Sequence, residues 1–334
     1  MEWDKGFSAR YYCTVVDPDS WRDLNRIELT DGTVMKTTSN LMESADISLT
    51  ELPEGIETWI RVWLDARQDN TGAHEAIFTG LMSAPAVSWD GLRKSYSAEC
   101  YSVLKPAADV LLPLGWYAGA GLNGAVIAAD LLSVGAAPVS YANNAPVLKD
   151  PIIAENNETN LSMAWKILEA IGWHIRLQGD GTICIQPYNT DPLITFDALE
   201  NDYIEMAIAD TRDLFDCPNV FRATANGSTA IARDDAGNSM LSTVSRGREV
   251  WKAETNCKLN TGESLAEYAQ RRLAEEQSSA RTISYTRRYI PDVLPGDIIQ
   301  ITHPAQGIDG IFRVTSQKIE LGYGARTSEE AERT

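Results

Sequence analysis

The chain has 334 residues, with 47 acidic against 29 basic side chains and a formal charge of −18. That length predicts two or three domains, because a single core stops growing near roughly 250 residues. Hydrophobic residues make up 44%, enough for a substantial core and too many for a disordered acidic tail. No apolar run reaches the roughly 20 residues of a membrane span. The start, Met1-Glu2-Trp3-Asp4-Lys5, lacks the apolar stretch of a signal peptide. The expectation is a soluble protein made in the cytoplasm, with no membrane insertion. The charge argues against a nucleic-acid reader, which needs clustered Lys and Arg. Residues 1–200 carry 27 acidic and 13 basic groups, so most of the excess lies there.

Residues 1–103 read as a β-domain. Segments 8–16, 26–30, 57–65, 74–81 and 95–103 are rich in β-branched and aromatic residues. Asp17-Pro18-Asp19, Asp31-Gly32, Pro53-Glu54-Gly55, Asp69-Asn70-Thr71-Gly72 and Asp90-Gly91 read as the turns between them. This pattern predicts a barrel or sandwich. Within 57–65, Ile60, Val62 and Leu64 form a core face. Trp59, Arg61, Trp63 and Asp65 form a mixed face, whose two tryptophans predict packing against another domain or subunit.

Residues 104–150 are rich in Ala, Gly and Pro and read as a connector, with a short apolar helix over 124–134. An α-β-β unit follows. Leu161, Trp165 and Leu168 have helical spacing within Thr159–Ala170, and Gly172 suits the left-handed C-terminal position. Strands 173–178 and 182–188 flank a Gly179-Asp180-Gly181 turn. Residues 201–327 return to β structure, with strands over 203–208, 219–225, 229–233, 241–251, 281–289, 297–302 and 311–321. One helix is expected over 263–279, where Asn260 and Glu263 have capping-box spacing. Residues 328–334 are polar and read as a flexible, frayed tail.

The sequence offers little bond chemistry. Cys13, Cys100, Cys184, Cys217 and Cys257 are scattered, with no Cys-x-x-Cys pair, and read as reduced structural thiols. His74, His174 and His303 lack metal-ligand spacing. In Gly119-Ala120-Gly121-Leu122-Asn123-Gly124 the third glycine comes one residue early for a dinucleotide fingerprint. No cofactor is expected. Asp202, Glu205, Asp210, Asp213 and Asp216, and separately Asp234-Asp235, read as solvated acidic loops. The abundance of carboxylates leaves a glycan hydrolase open, and the tryptophans leave a carbohydrate-binding β-module open. Arg246, Arg248 and Lys252 surround Trp251, and Arg287-Arg288-Tyr289 ends a strand. These cations suit either a surface salt-bridge lattice or docking to an acidic face of a neighbouring subunit.

Several stretches, taken in order, carry a family resemblance. They are Tyr12–Trp21, Glu99–Tyr117, Ile167–Ile185, Leu241–Lys252 and Leu259–Thr327. The last includes Gly262-Glu263-Ser264-Leu265, Ile283-Ser284-Tyr285-Thr286-Arg287-Arg288-Tyr289, Pro295-Gly296-Asp297 and Gly322-Tyr323-Gly324-Ala325-Arg326-Thr327. Together they resemble baseplate hub proteins of phage tails, of the kind found in PBSX-like defective phages and contractile phage-tail bacteriocins. The resemblance covers nearly the whole chain; its specificity lies in order and combined length.

The resemblance implies a mainly β chain with an α+β insert. Two barrel-like tube domains, 1–103 and 201–327, would be joined by a helical connector and small α-β-β subdomain, 104–200. It implies a structural homotrimer without catalytic residues. Six barrels from three chains would match a hexameric tail tube to a trimeric spike. The implied partners are further copies of the chain, the tail tube or tube-initiator protein, the central spike, baseplate wedge proteins and the tape measure protein, with DNA only passing through. The implied location is the tail tip of a virion or phage-tail-like particle, assembled in the bacterial host cytoplasm. Trp59, Trp63, Arg246, Arg248, Trp251, Arg287 and Arg288 become candidate subunit-interface residues. The acidic excess of residues 1–200 is expected to face the lumen or the spike, where it would repel phosphate.

Overall fold

The computed structural model describes residues 1–334 other than 54, 56, 84, 92, 200–202, 213, 258, 261, 279–280 and 323–324. Glu54 of a predicted turn, Asp202 and Asp213 of the acidic cluster, the last residue of the predicted 263–279 helix, and Tyr323-Gly324 lie outside the described residues.

The alternating N-terminal segments form β1 (Ser8–Val16), β2 (Asp23–Thr37), β3 (Glu43–Leu49), β4 (Thr58–Gln68), β5 (Thr71–Met82), β6 (Ala86–Asp90) and β7 (Arg93–Ser102). The order β1-β4-β5-β7-β3-β2 returns to β1, closing a six-stranded barrel; β6 pairs with β7 as a hairpin arm. Inward positions supply the core: Cys13, Val34, Ile60, Val62, Leu64 and Phe78 are fully buried. The turn predicted at Asp31-Gly32 is instead inside β2. There the sheet backbone comes close, and a Cβ on Gly32 would lie 2.9 Å from the Asp46 carbonyl. The turn predicted around Asp69 is a hairpin between Gln68 and Thr71, with Asp69 at φ 49°.

The middle of the chain contains α1 (Lys105–Asp109), β8 (Tyr117–Ala118), α2 (Gly124–Leu132), β9 (Val139–Tyr141), β10 (Ile152–Ile153), α3 (Asn160–Ile171), β11 (Trp173–Leu177) and β12 (Ile183–Pro187). α3 begins where Thr159 and Ser162 cap one another reciprocally and ends at Gly172, φ 69°. Its apolar stripe packs on α2, closely enough that a Cβ on Gly124 would lie 2.8 Å from Ile171. The β11–β12 turn plugs into the first barrel. Thr79 donates to the Gly179 carbonyl at 2.8 Å, and Trp21 and Arg61 donate to the Asp180 carbonyl at 2.9 and 3.0 Å.

The remaining elements are β13 (Ile194–Asp197), β14 (Ile204–Arg212), β15 (Val220–Ala225), β16 (Ser228–Arg233), α4 (Thr243–Arg246), β17 (Trp251–Thr255), α5 (Leu265–Ser278), β18 (Arg281–Arg287), β19 (Ile298–His303), β20 (Ile308–Glu320) and β21 (Thr327–Arg333). Six strands, in the order β13-β19-β20-β21-β18-β14, curve around a second core of Phe196, Ile283, Ile299, Phe312 and Val314 as a second, barrel-like unit whose end strands β13 and β14 are not paired with each other among the described residues. β16-β15-β17 form a separate small sheet with α5 on one face, and Phe221, Ala223, Ala269 and Leu273 between them.

Several expectations change here. β13 joins the second barrel, although residues 104–200 were expected to be insert. The strand predicted over 241–251 is instead a turn of helix, α4, flanked by irregular backbone, and only Trp251 is strand. Ser242 caps the helix by accepting from the Ser245 N–H, and Gly247, φ 62°, ends it. The helix predicted from 263 starts at Leu265, because its capping pair is Ser264 with Glu267. Residues 328–334 are no frayed tail. Up to Arg333 they form β21, paired on both sides, because Thr327, Glu329 and Ala331 all point inward.

The barrels are fused. Thr33–Thr37 of β2 pairs antiparallel with Ser316–Glu320 of β20, so one sheet runs through both. A row of buried polar residues crosses this seam: Glu43, Lys36, Gln317 and Glu329 are successive cross-strand neighbours. Lys36 meets Glu43 at 2.7 Å, with both side chains almost wholly buried. Arg287 holds Glu329 with two bonds, and Gln317 donates to both Glu329 and the Val293 carbonyl. Burial pushes the Glu43 carboxyl up, against the pull of Lys36.

Removing one member of a buried pair strands the other charge. Lys36→Met is therefore expected to cost about 3–5 kcal/mol in denaturant unfolding, and Lys36→Met with Glu43→Leu to regain most of it. A single variant as stable as the parent would mean that the pair bears no load. At the insert joint, a Cβ on Gly179 would fall 1.7 Å from the Ala76 carbonyl. Gly179→Ala is expected to lower the melting temperature, with a cost of about 1–3 kcal/mol or more. An unchanged melting curve would show that the turn does not need this close approach.

Candidate assembly surfaces

Fusing the barrels joins their outward faces into one continuous surface. Across β7, β3, β2, β20, β21 and β18, residues pointing away from the cores stand in register. Examples are Ser97 beside Ser48, Ser44 beside Met35, and Ser316 beside Glu330 beside Ser284. The face is mostly serine and threonine. Set into it is a row in which Glu99 opposes Asp46, Asp46 opposes Thr33, and Thr33 opposes Glu320. Opposed like charges weaken a sheet, yet among the described residues no ion pair neutralises Asp31, Asp46, Glu99 or Glu320. Two open depressions of about 630 and 360 Å³ lie along the face, one beside Met35, Ser284 and Ser328, the other beside Asp46, Ser97 and Glu99. Lys318 stands exposed beside Met35, but the short hydroxyl side chains and the carboxylates around it give a polyanion little else to hold.

The structure distributes the sequence-predicted interface residues differently from expectation. Trp59 is buried, edge-to-face with Trp21 at 5.4 Å, and packs against the insert core of the same chain. Trp63 is half-buried, donates to Thr14 at 3.0 Å and stacks on His74 at 4.1 Å. Arg287 is only 1% exposed and is committed to Glu329. Arg288 donates to the Asp4 carbonyl. Trp59 and Arg287 are thus internal and cannot form a subunit interface. For Trp59 the packing against another domain expected of the mixed face is met within the chain, by the insert, whereas for Arg287 the signal misled because a charged strand end was equated with a surface one.

Arg246, Arg248 and Trp251 do sit at the surface. Arg246 and Arg248 donate to the Phe215 carbonyl at 2.6 and 2.5 Å, and the Arg248 guanidinium lies over the exposed Phe215 ring at 4.6 Å. In the acidic cluster, Glu205 is held by Arg326 at 2.9 Å and Asp210 by Arg281 at 3.0 Å.

His174 marks the joint between the insert and the second barrel. Its ring stacks on Tyr188 at 4.4 Å and lies next to Gly296, and its buried Nε2 meets no hydrogen-bond partner among the described residues. Beside it Arg176 binds Asp297 and the Asp292 carbonyl, and Arg313 lies over Tyr188. Burial, then Arg176 and Arg313, push the imidazole down to about 4.

No family model matches the chain, and no curated protein does. Solved structures do. The tail protein from Neisseria meningitidis MC58 superposes with a TM-score of 0.71 at 16% identity, covering 98% of this chain and 97% of that one. The 43 kDa tail protein of prophage MuSo2 from Shewanella oneidensis gives 0.71 at 13%, covering 98% of each chain. An E. coli component of the type VI secretion system, described as structurally similar to the T4 bacteriophage tail proteins gp27 and gp5, gives 0.56 at 6%. It matches 96% of this chain and 76% of that one. At these identities the likeness is one of fold. The fold is mainly β and is shared over almost the whole chain with phage tail proteins of this kind.

The histidine sets a pH dependence. Below about pH 6.5 the unfolded chain takes up a proton that the folded chain refuses until about 4. His174 therefore contributes a loss of stability as pH falls through that window, of about 1.4 kcal/mol per unit. Unfolding midpoints at pH 7, 6 and 5 are expected to drop less steeply for His174→Phe. Parallel profiles for the two proteins would remove the histidine from the account.

Proposed function

We propose that this chain is a structural component of a phage or phage-tail-like particle: the baseplate hub, a homotrimer at the tail tip that adapts the hexameric tail tube to a trimeric spike. The observation that carries this reading is the fusion of two barrels through one sheet, with a continuous Ser/Thr and carboxylate face on its outer side. Three such chains would supply six barrels around an axis, a sixfold surface built from threefold symmetry. The uncompensated row at Asp46, Glu99 and Glu320 would then face the channel, where unneutralised charge is an advantage. DNA passing through would meet mostly hydroxyls and fixed negative charge, with Lys318 the exposed cation beside Met35.

In this arrangement the chain works by symmetry matching and interface burial. The tail tube or tube-initiator protein would sit above, the spike below and the baseplate wedge proteins outside, with the tape measure protein reaching the hub from the tube. The fold shared with phage tail proteins supports the setting, and the arginine-held state of Glu205 and Asp210 speaks against using them as a hydrolytic pair.

Light scattering on the purified chain is expected to give three times the chain mass. A cryo-EM map of the tail tip is expected to place three copies around the axis with Asp46 and Glu99 lining the channel. A stable monomer with no axial position would end the hub reading. A neutral or positive channel wall would end the assignment of this face.

A further inference from the structure

Two exposed patches outside the fused sheet differ in chemistry and complement one another. The first lies on the connector, where segments 110–122 and 147–155 run side by side. Tyr117 pairs with Ile153, the Leu122 carbonyl accepts from Leu148 at 2.8 Å, and the Trp116 carbonyl accepts from Ala154 at 3.0 Å. Leu111, Leu114, Tyr117, Leu122 and Ile153 all stand in solvent, Leu114 at 86% exposure. Asp150 and Glu155 border them, with Lys149 the single cation in the two segments. Glu155 touches Lys166 at 3.3 Å but stays largely exposed; Asp150 has no ion-pair partner among the described residues.

The second patch is the bare face of the small sheet. α5 covers one side of β16-β15-β17, and on the other Arg222 stands between Ile231 and Ala253 in register, all three exposed. Trp251 shares the strand face of Ala253 and donates to Glu249, and Phe215 is 72% exposed beneath Arg248. Arg222, Arg246 and Arg248 meet no carboxylate among the described residues. In a chain of charge −18, three uncompensated guanidinium groups around exposed aromatic rings have the composition of an interface centre.

We infer that copies of this chain bind one another head to tail, the aliphatic, acid-bordered connector patch of one copy seating on the arginine-bearing sheet face of the next. This rests on the reading that copies associate, and it adds which surfaces meet. Charge decides the occupant. Pairing the arginine face with its own copy across a twofold axis opposes like charges, whereas seating it on the connector patch sets it against Asp150 and Glu155 and buries leucine and isoleucine against tryptophan and phenylalanine. Two different complementary patches on one chain make a heterologous contact, which closes into a ring when the rotation per contact divides a full turn.

The test is charge exchange in the full chain, read by sedimentation velocity, with far-UV circular dichroism and unfolding midpoints to confirm folding. Arg222→Glu with Arg248→Glu, and separately Asp150→Lys with Glu155→Lys, are each expected to weaken self-association at least tenfold. All four changes in one chain are expected to restore it, and added salt to weaken the parent. If a reversed variant fails to fold, Arg222→Gln with Arg248→Gln is expected to show the weakening. A trimer that persists through both reversals, or a fourfold variant no better than the twofold ones, overturns these surfaces while leaving the hub reading intact. A parent chain that is monomeric at every concentration overturns both.

Discussion

The buried polar row across the seam holds the rest of the molecule in place. Polar groups inside a sheet are tolerated only opposite the right partner, because a charge left unpaired there costs several kcal/mol. Lys36, Glu43, Gln317, Glu329 and Arg287 satisfy one another across five strands. A slip of β20 by one residue would turn Gln317 to solvent and leave Lys36 opposite Ser316 or Lys318, neither of which continues the row to Glu329. The row thereby fixes the register of β2 against β20. That register is what joins the outer faces of two separate cores into one continuous sheet surface. The polar face is a by-product of the interior, since its continuity is specified by residues that never reach the surface.

Much of this was readable in the sequence, and the failures have physical causes. β1, α3 and the hairpin that follows α3 were legible because period, cap and turn agree: Leu161 and Leu168 give the stripe, Thr159 the start and Gly172 the stop. β3 was not, although Ala45, Ile47 and Leu49 alternate with Ser44, Asp46 and Ser48. Its inward residues include a small one and its outward residues look like a loop. β21 hid for a related reason. One of its inward residues is Glu329, which carries a charge paired only in three dimensions. Asp31-Gly32 has turn chemistry, but here the glycine serves close backbone approach instead. The outward polar face was legible only as a bulk charge. Its row of carboxylates is assembled from β7, β3 and β20, which no local window can align.

The structure divides the charges into those with a task inside and those without a partner. Arg61 serves both Asp23 and the Asp180 carbonyl at the insert joint, Arg176 ties the insert to Asp297, and Arg287 sits in the core. These cations are what a surface reading of Arg and Lys misplaces. Among the described residues, Asp31, Asp46, Glu99 and Glu320 have no ion-pair partner on one side of the molecule, and Arg222, Arg246 and Arg248 none on another. Residual charge of opposite sign on separate faces gives the chain a polarity that its net value hides. A polar chain of this sort favours ordered association over random clustering.

The fused sheet also bears on how the chain is made. β2 emerges early from the ribosome, and its first barrel can close with β1, β3 and the hairpins that follow. The edge at Thr33–Thr37 then waits for β20, most of a chain length later. Until then the nascent protein displays an open strand edge beside a buried lysine whose polar row is half built, a template for pairing with the wrong chain. Long-range pairing of this kind is slow to form. The pairing that makes two barrels one body is therefore also among the latest that synthesis can supply. A copy interrupted before β20 retains that open edge and lacks the surface needed to take its place beside complete copies.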